Sequence, residues 1–241
     1  MAEFVAPIRD MKFVVEELIG LKTVNELPGY EDATSDVTTA ILEEAGKLAH
    51  NVLSPINRNG DVEGSRLENG VVITPTGFKE AYKAYVDGGW NALQFDSEIG
   101  GQGLPLLLAT PVFEMWDSAN LAFMLCPVLT IAAVECLEEF GNISQKEKWL
   151  PKLAVGELIS TFALPETNSE PTEKNIKTTF SNGKINGRKI PVADGSCSDI
   201  AIVVVKNTDN DHIALTIVDL TSENVKRNQI STLDPSRDHA E

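Results

Sequence analysis

Three observations predict an α+β chain with its helices first and its strands afterwards. Apolar residues recur at helical spacing through residues 1–160, and beyond that point the period shortens into β-branched runs. No stretch alternates strand, helix and strand in the way a parallel βαβ sheet requires. A helical domain over 1–160 followed by a β domain over 161–241 is the expected division.

The first helix with clear periodicity starts at Ser35. SDVTTAILEEAGKLAHNVL sets Val37, Ile41, Leu48 and Val52 on one stripe, with Ser35 as the expected N-cap. A shorter stripe of Phe78, Ala81, Tyr82, Tyr85 and Val86 ends at Gly88 and Gly89. Gly100-Gly101-Gln102-Gly103 follows no strand-like run, so it reads as a turn between helices and not as a phosphate cradle. The apolar segment 104–137 comes next. Pro111 and Pro127 lack an N–H and crowd the preceding turn, so they are expected to divide it into separate helices. Met115, Trp116, Phe123 and Met124 are read as core. Ser144 is the expected cap of a helix that carries Trp149 and Leu150 and runs out before Gly156.

Strand signals follow. Ser181-Asn182-Gly183 is a turn leading into Lys184-Ile185-Asn186. Residues 200–205 form a β-branched run typical of a buried strand. Turn chemistry at 207–211 and a returning strand at 213–218 make a hairpin. The polar tail 221–241 contains no complete element.

Composition narrows the function classes. The 241 residues include 20 Lys and Arg against 36 Asp and Glu, a net charge of −16. That balance argues against nucleic acid and against an anionic membrane surface, since both need clustered cations. No apolar run is expected to reach the roughly 18–20 residues of a membrane span. Arg9, Lys12, Glu16 and Glu17 interrupt the hydrophobics near the start, so no secretory signal is expected and the chain is placed in the cytoplasm. Cys126, Cys136 and Cys197 lack C-x-x-C spacing, and His50, His212 and His239 are widely separated, so no disulfide framework and no metal site are expected. There is no G-x-S-x-G elbow or P-loop, and no catalytic residue is nominated.

Residues 88–157 carry a family resemblance. GGWNALQFDSEIGGQGLP resembles the acyl-CoA dehydrogenase segment in which a Gly-Trp pair precedes a Gly-Gly-Gln-Gly-Leu-Pro turn. FGNISQKEKWLPKLAVGE is similar to that family's Gly-x-x-x-Gln-Lys-x-x-x-Leu-Pro-x-Leu-x-x-Gly-Glu. APIRDMKFVVEEL and NRNGDVEGSRLENGVVITPTGF resemble its long-N-terminus bacterial branch. The resemblance implies an N-terminal helical domain, a partial antiparallel β-barrel domain, and FAD lying between that barrel and a C-terminal four-helix bundle. The bundle, with the usual positions of the carboxylate base, is expected to be absent from these 241 residues.

The resemblance also implies which positions face the flavin. Ala163-Leu164, Glu166, Ile176-Lys177-Thr178 and Gly187-x-Lys189 match the family, with the spacing kept. Between those anchors, Pro165 stands where a flavin-facing Thr is usual and Pro171 where a Ser holds the pyrophosphate. Pro191 replaces the aromatic lid, Ala193 replaces a Thr, and Glu170-Pro171-Thr172 replaces a Gly-Ser-Asp turn. Proline offers neither a hydroxyl nor an N–H. At about 1.5–3 kcal/mol per lost charge-assisted contact, several such exchanges weaken a dinucleotide by orders of magnitude. FAD, expected from the family, is therefore expected to be absent from this chain alone, with Leu164, Pro165, Pro171, Pro191 and Ala193 marking a degenerate site.

Three functions follow from these residues. The first is a non-catalytic subunit or acyl-CoA-binding module. The second is an FAD-dependent dehydrogenase completed by a separate chain, and the third is a remnant without function. A segment as apolar as 104–137 leaves one face short of cover. A homo-oligomer, or a hetero-oligomer with a full-length acyl-CoA dehydrogenase, is expected to cover it.

Overall fold

The computed structural model describes residues 4–69, 71–166, 172, 175–233 and 236–241. Helices fill the first part. α1 (Ile8–Phe13) continues as a π-helical turn, Val14–Ile19, and α2 (Leu21–Asn25) follows. α3 (Ser35–Leu48) passes through a π-helical segment, Ala49–Leu53, into α4 (Ser54–Glu63). The cap is Thr34 and not Ser35, because the Thr34 hydroxyl accepts the Val37 N–H at 3.3 Å. The buried stripe also lies one position on from the expected one: Thr38, Leu42, Ala45, Ala49 and Leu53 face inward, while Val37 is exposed. Small residues set that choice. A Cβ at Gly46 would stand 3.2 Å from Ile8 Cδ1, so this face lets the N-terminal segment approach closely.

A short hairpin, β1 (Arg66–Glu68) and β2 (Val71–Ile73), precedes α5 (Phe78–Asp87), which buries Phe78, Ala81 and Tyr85 as expected. The glycine-rich turn is stapled to residues 92–95: the N–H groups of Gln102, Gly103 and Leu104 donate to the carbonyls of Ala92, Phe95 and Leu93 at 2.8–2.9 Å. α6 (Leu106–Phe140) then runs through both prolines. Its one non-helical residue is Asn120 (φ −160°, ψ 84°), so the interruption is there and not at Pro111 or Pro127. Asn120 Oδ1 accepts the Phe123 N–H at 3.1 Å, and its Nδ2 donates to the Leu53 carbonyl at 3.1 Å. A side chain that caps the next turn and ties it to a neighbouring helix outweighs the prolines as the breaking signal. α7 (Ile143–Ala154) is capped by Asn142 in a reciprocal box with Gln145, not by Ser144.

α6 also corrects the expectation that no apolar run is long enough for a membrane. By length and composition it qualifies, with a mean hydropathy of 1.9 over its most apolar window, half of which is buried. It is the central core helix. Trp116 is fully buried, donates its indole N–H to the Ala45 carbonyl at 3.0 Å, and meets Tyr85 and Trp90 edge to face at 5.4 and 5.2 Å. Met115, Phe123 and Met124 are buried with it, as expected. The opposite face leaves Leu121 54% and Val128 46% exposed.

The strand part is a mixed sheet, and no closed barrel is present among the described residues. β7 (Ile200–Asn207) is central and pairs antiparallel with β8 (Ile213–Asp219), the expected hairpin. Its other edge takes β3 (Ser160–Ala163) and β4 (Thr179–Ser181), both parallel to it, so the antiparallel expectation holds for only part of the sheet. β5 (Lys184–Asn186) returns from β4 through Asn182 and Gly183, both at positive φ. β6 (Val192–Ala193) pairs with β9 (His239–Ala240), so the tail does hold a short strand, and that strand is paired. Ile200 packs with Ile131, Val134, Leu150 and Leu153, joining the sheet to α6 and α7.

Candidate functional site

The flavin-facing positions anticipated from the sequence come together where β3 exits beside β6. The Ile190 N–H donates to the Pro165 carbonyl at 3.0 Å. The Thr161 hydroxyl donates to the Ala193 carbonyl at 2.6 Å, and the Lys189 ammonium donates to the Leu164 carbonyl at 3.1 Å. Leu164, Pro165, Pro191 and Ala193 thus share one corner, with Leu164 and Pro191 exposed and the other two half-buried. Pro171 and Glu170 lie outside the described residues.

None of these four side chains carries a donor or an acceptor, and the carbonyls of Leu164, Pro165 and Ala193 are already engaged within the chain. The corner is an apolar surface. It does not fit a flavin ring held at these positions through hydroxyls and an aromatic lid.

Beneath the corner the family anchors do structural work. Lys189 Nζ lies 2.7 Å from Glu166 Oε1, and both side chains are buried. Glu166 also accepts the N–H groups of Lys177 (2.8 Å) and Thr178 (3.0 Å). Burial acts to raise the Glu166 carboxyl. The hydrogen bonds from Lys189, Thr178 and the backbone of Lys177 and Thr178 overcome it and bring the group down to about 2.

A cavity of about 300 Å³ lies between α5, the β1–β2 hairpin, α6 and the turns that follow Ala193 and precede β9. Val72, Phe78, Phe123 and Ile159 give it an apolar lining. One wall is polar: Arg237 Nη2 stands 2.6 Å from Asp194 Oδ2, with both side chains largely buried. Burial raises the Asp194 carboxyl and the Arg237 charge opposes that shift. Asp238, on the same wall, accepts the Ser196 N–H at 2.6 Å and the Gln229 amide at 3.1 Å. Such a chamber takes an apolar group and offers polar contacts at one end.

Sequence reasoning did not nominate Asp194 or Arg237. Asp194 adjoins Ala193 and was within reach of the family comparison, whereas nothing in the spacing signals that Arg237 meets it. Among the described residues, no three His, Cys, Asp or Glu side chains gather as a metal ion would need.

Comparison with known proteins places these features. The family model described as the acyl-CoA dehydrogenase N-terminal domain matches residues 35–157. The 3-methylmercaptopropionyl-CoA dehydrogenase of Ruegeria pomeroyi is 37% identical over 174 residues, which is 72% of this chain and 30% of the relative. A butyryl-CoA dehydrogenase of Syntrophomonas wolfei is 28% identical over 83% of this chain and 35% of its own length. Among solved structures, butyryl-CoA dehydrogenase from Megasphaera elsdenii superposes with a TM-score of 0.72 at 20% identity, covering 85% of this chain and 54% of that one. A glutaryl-coenzyme A dehydrogenase gives 0.73 at 15% identity over 86% and 53%. The chain spans about a third of the length of the curated relatives and about half of the solved chains. Its helical N-terminal part followed by a partial sheet is the fold these structures share. With just over half of its residues matched by that family model, the chain belongs to the acyl-CoA dehydrogenase family.

Proposed function

We propose that this chain is a non-catalytic member of its family that binds acyl-CoA, or serves as a subunit, in fatty acyl-CoA metabolism, and that it holds no FAD by itself. In this reading a unit over 1–160 supplies the apolar lining of the acyl-binding chamber, and 161–241 closes its polar wall and keeps the flavin domain's scaffold without its donors. The carrying observation is the apolar corner of Leu164, Pro165, Pro191 and Ala193, whose nearby carbonyls are already engaged. The retained Glu166–Lys189 pair supports it, because the strand framework persists while the contacts to the ring do not. The partner is a second copy or a full-length acyl-CoA dehydrogenase in the cytoplasm, seated on the face of α6 that exposes Leu121 and Val128.

The test is to purify the protein, scan its visible absorbance, and assay flavin after denaturation. Titration with butyryl-CoA and octanoyl-CoA follows by calorimetry. A colourless protein that binds an acyl-CoA supports the proposal; stoichiometric FAD overturns it. Sequence similarity to the two bacterial dehydrogenases favours a second reading, an active α,β-dehydrogenase of acyl-CoA completed by another chain. That reading requires a co-purifying chain whose addition restores both flavin and turnover.

A further inference from the structure

The buried polar side-chain atoms that lack a partner are concentrated at the cavity. Of six such atoms among the described residues, four belong to Ser196, Ser198, Arg237 and His239, on the two segments that supply the polar wall. A buried polar atom without a partner is uncommon in a folded protein and marks a place for water, an ion or a ligand. Arg237 is the one of the four that lines the cavity itself. Its Nη2 donates to Asp194 Oδ2 at 2.6 Å and to the Leu125 carbonyl at 3.3 Å, whereas its buried Nε–H meets no acceptor. Asp194 Oδ1 likewise accepts no hydrogen bond among the described residues. A guanidinium and a carboxylate can close by two parallel bonds. This pair closes by one, and a second donor and a second acceptor stay open on side chains that are only 13% and 6% exposed.

We propose that the chamber binds an apolar chain carrying a neutral hydroxyl, which accepts from Arg237 Nε–H and donates to Asp194 Oδ1. Where the chamber serves acyl groups, as in the reading above, its preferred ligand is then a hydroxyacyl thioester and not a plain one.

Donor and acceptor chemistry selects that group. A carboxylate satisfies Nε–H, but it brings a further negative charge to a wall that already holds Asp194 and Asp238 against one guanidinium. Lys79, the other cation of the lining, is exposed at the rim. An ammonium reaches Oδ1 and turns its own donors toward Nε–H. An ether accepts and cannot donate. A hydroxyl does both. The apolar side has room for the chain: about 300 Å³ is twice the roughly 150 Å³ of an apolar cavity that takes benzene, so about six carbons fit beside Val72, Phe78, Phe123 and Ile159.

Ligand titration of the wild-type protein, followed by NMR, tests the proposal. 1-Hexanol should bind about tenfold tighter than methyl pentyl ether, hexanoate or hexylammonium, because it alone completes a pair with charged groups. Its chain protons should show NOEs to Phe78, Phe123 and Ile159. By calorimetry, 6-hydroxyhexanoyl-CoA should exceed hexanoyl-CoA by a similar factor. Arg237→Lys keeps a cation for Asp194 without the Nε–H, and the preference for the alcohol should collapse in it. The wild-type comparison stands even if that variant misfolds. Equal binding of 1-hexanol and the ether would mean that water alone closes the pair, and would overturn the proposal. NOEs only to the exposed face of α6 would do the same. Equal binding of the two thioesters together with no preference for the alcohol would overturn the hydroxyl and leave the acyl-binding reading intact. A preference for 1-hexanol with neither thioester bound would support the hydroxyl site and overturn that reading.

Discussion

Glu166 shows how one buried carboxylate can hold a strand exit in place. Its carboxylate is buried, paired with Lys189 at 2.7 Å, and accepts two backbone N–H groups, so it locks residues 177–178 against the exit of β3. Removing one partner of a buried pair leaves the other charge uncompensated, which costs about 3–5 kcal/mol. Glu166→Gln is therefore expected to destabilise the protein by about 3 kcal/mol at neutral pH, read from urea unfolding. The pH dependence has a definite sign. The folded-state value of about 2 lies below the ordinary 4.5, so the contribution is complete above pH 4.5 and is lost as pH falls toward 2. The variant should lack that acid limb. An unchanged acid limb in Glu166→Gln would mean that the pair contributes little.

At the scale of elements, α6 depends on Asn120 and the approach to α6 depends on Gly101. Asn120 is fully buried and caps the second half of the helix while donating to Leu53. Asn120→Ala leaves a buried carbonyl and a buried N–H without partners, and about 2–3 kcal/mol of stability should disappear in denaturant titration. Asn120→Asp keeps the acceptor for Phe123 but faces the Leu53 carbonyl with a buried, unpaired carboxylate, so it should lose at least as much. Gly101 has no room for a side chain: a Cβ there would stand 1.8 Å from the Phe95 carbonyl oxygen. Gly101→Ala must displace a backbone carbonyl that the Gly103 N–H also uses, so a loss of at least about 2 kcal/mol is expected, visible as a lowered melting temperature. These cases show which elements the sequence disclosed. α5 and the β7–β8 hairpin were legible because periodicity and turn chemistry are local, as was the core role of Trp116. The caps at Thr34 and Asn142 and the break at Asn120 were missed, since several polar residues compete locally and tertiary hydrogen bonds choose among them. The β6–β9 pairing and the Arg237–Asp194 ion pair depend on segments distant in the chain, which spacing does not report. Leu164, Pro165, Pro191 and Ala193 were singled out only through family resemblance, and the structure adds that they share one corner and that the carbonyls of Leu164, Pro165 and Ala193 are engaged.

For the whole molecule, the net charge of −16 works against compactness through self-repulsion. At 0.1 M salt, interactions beyond about 10 Å are largely screened, so the melting temperature should rise as salt is added from low ionic strength. Proton uptake acts in the same direction at first. Burial raises the carboxyls of Asp194, Asp117 and Glu138, the last with help from Asp96 and Glu135. An acid raised on folding binds its proton more readily in the folded state, so lowering the pH through that window adds stability. Glu166 opposes this further down, joined by Glu63 and Asp219, whose carboxyls are lowered by hydrogen bonds from Thr76 and Thr221. The two sets cross near the ordinary carboxylate value. The urea midpoint, followed from pH 8 to pH 3, should therefore climb, pass through a maximum on the acidic side of neutrality, and fall below pH 4.5. Added salt should flatten the climb, because repulsion between exposed charges is screened. It should spare the fall, because the Glu166–Lys189 pair is buried where ions do not reach. A midpoint that rose continuously to pH 3, or a fall that salt abolished, would show that surface charge and not this internal pair governs acid stability.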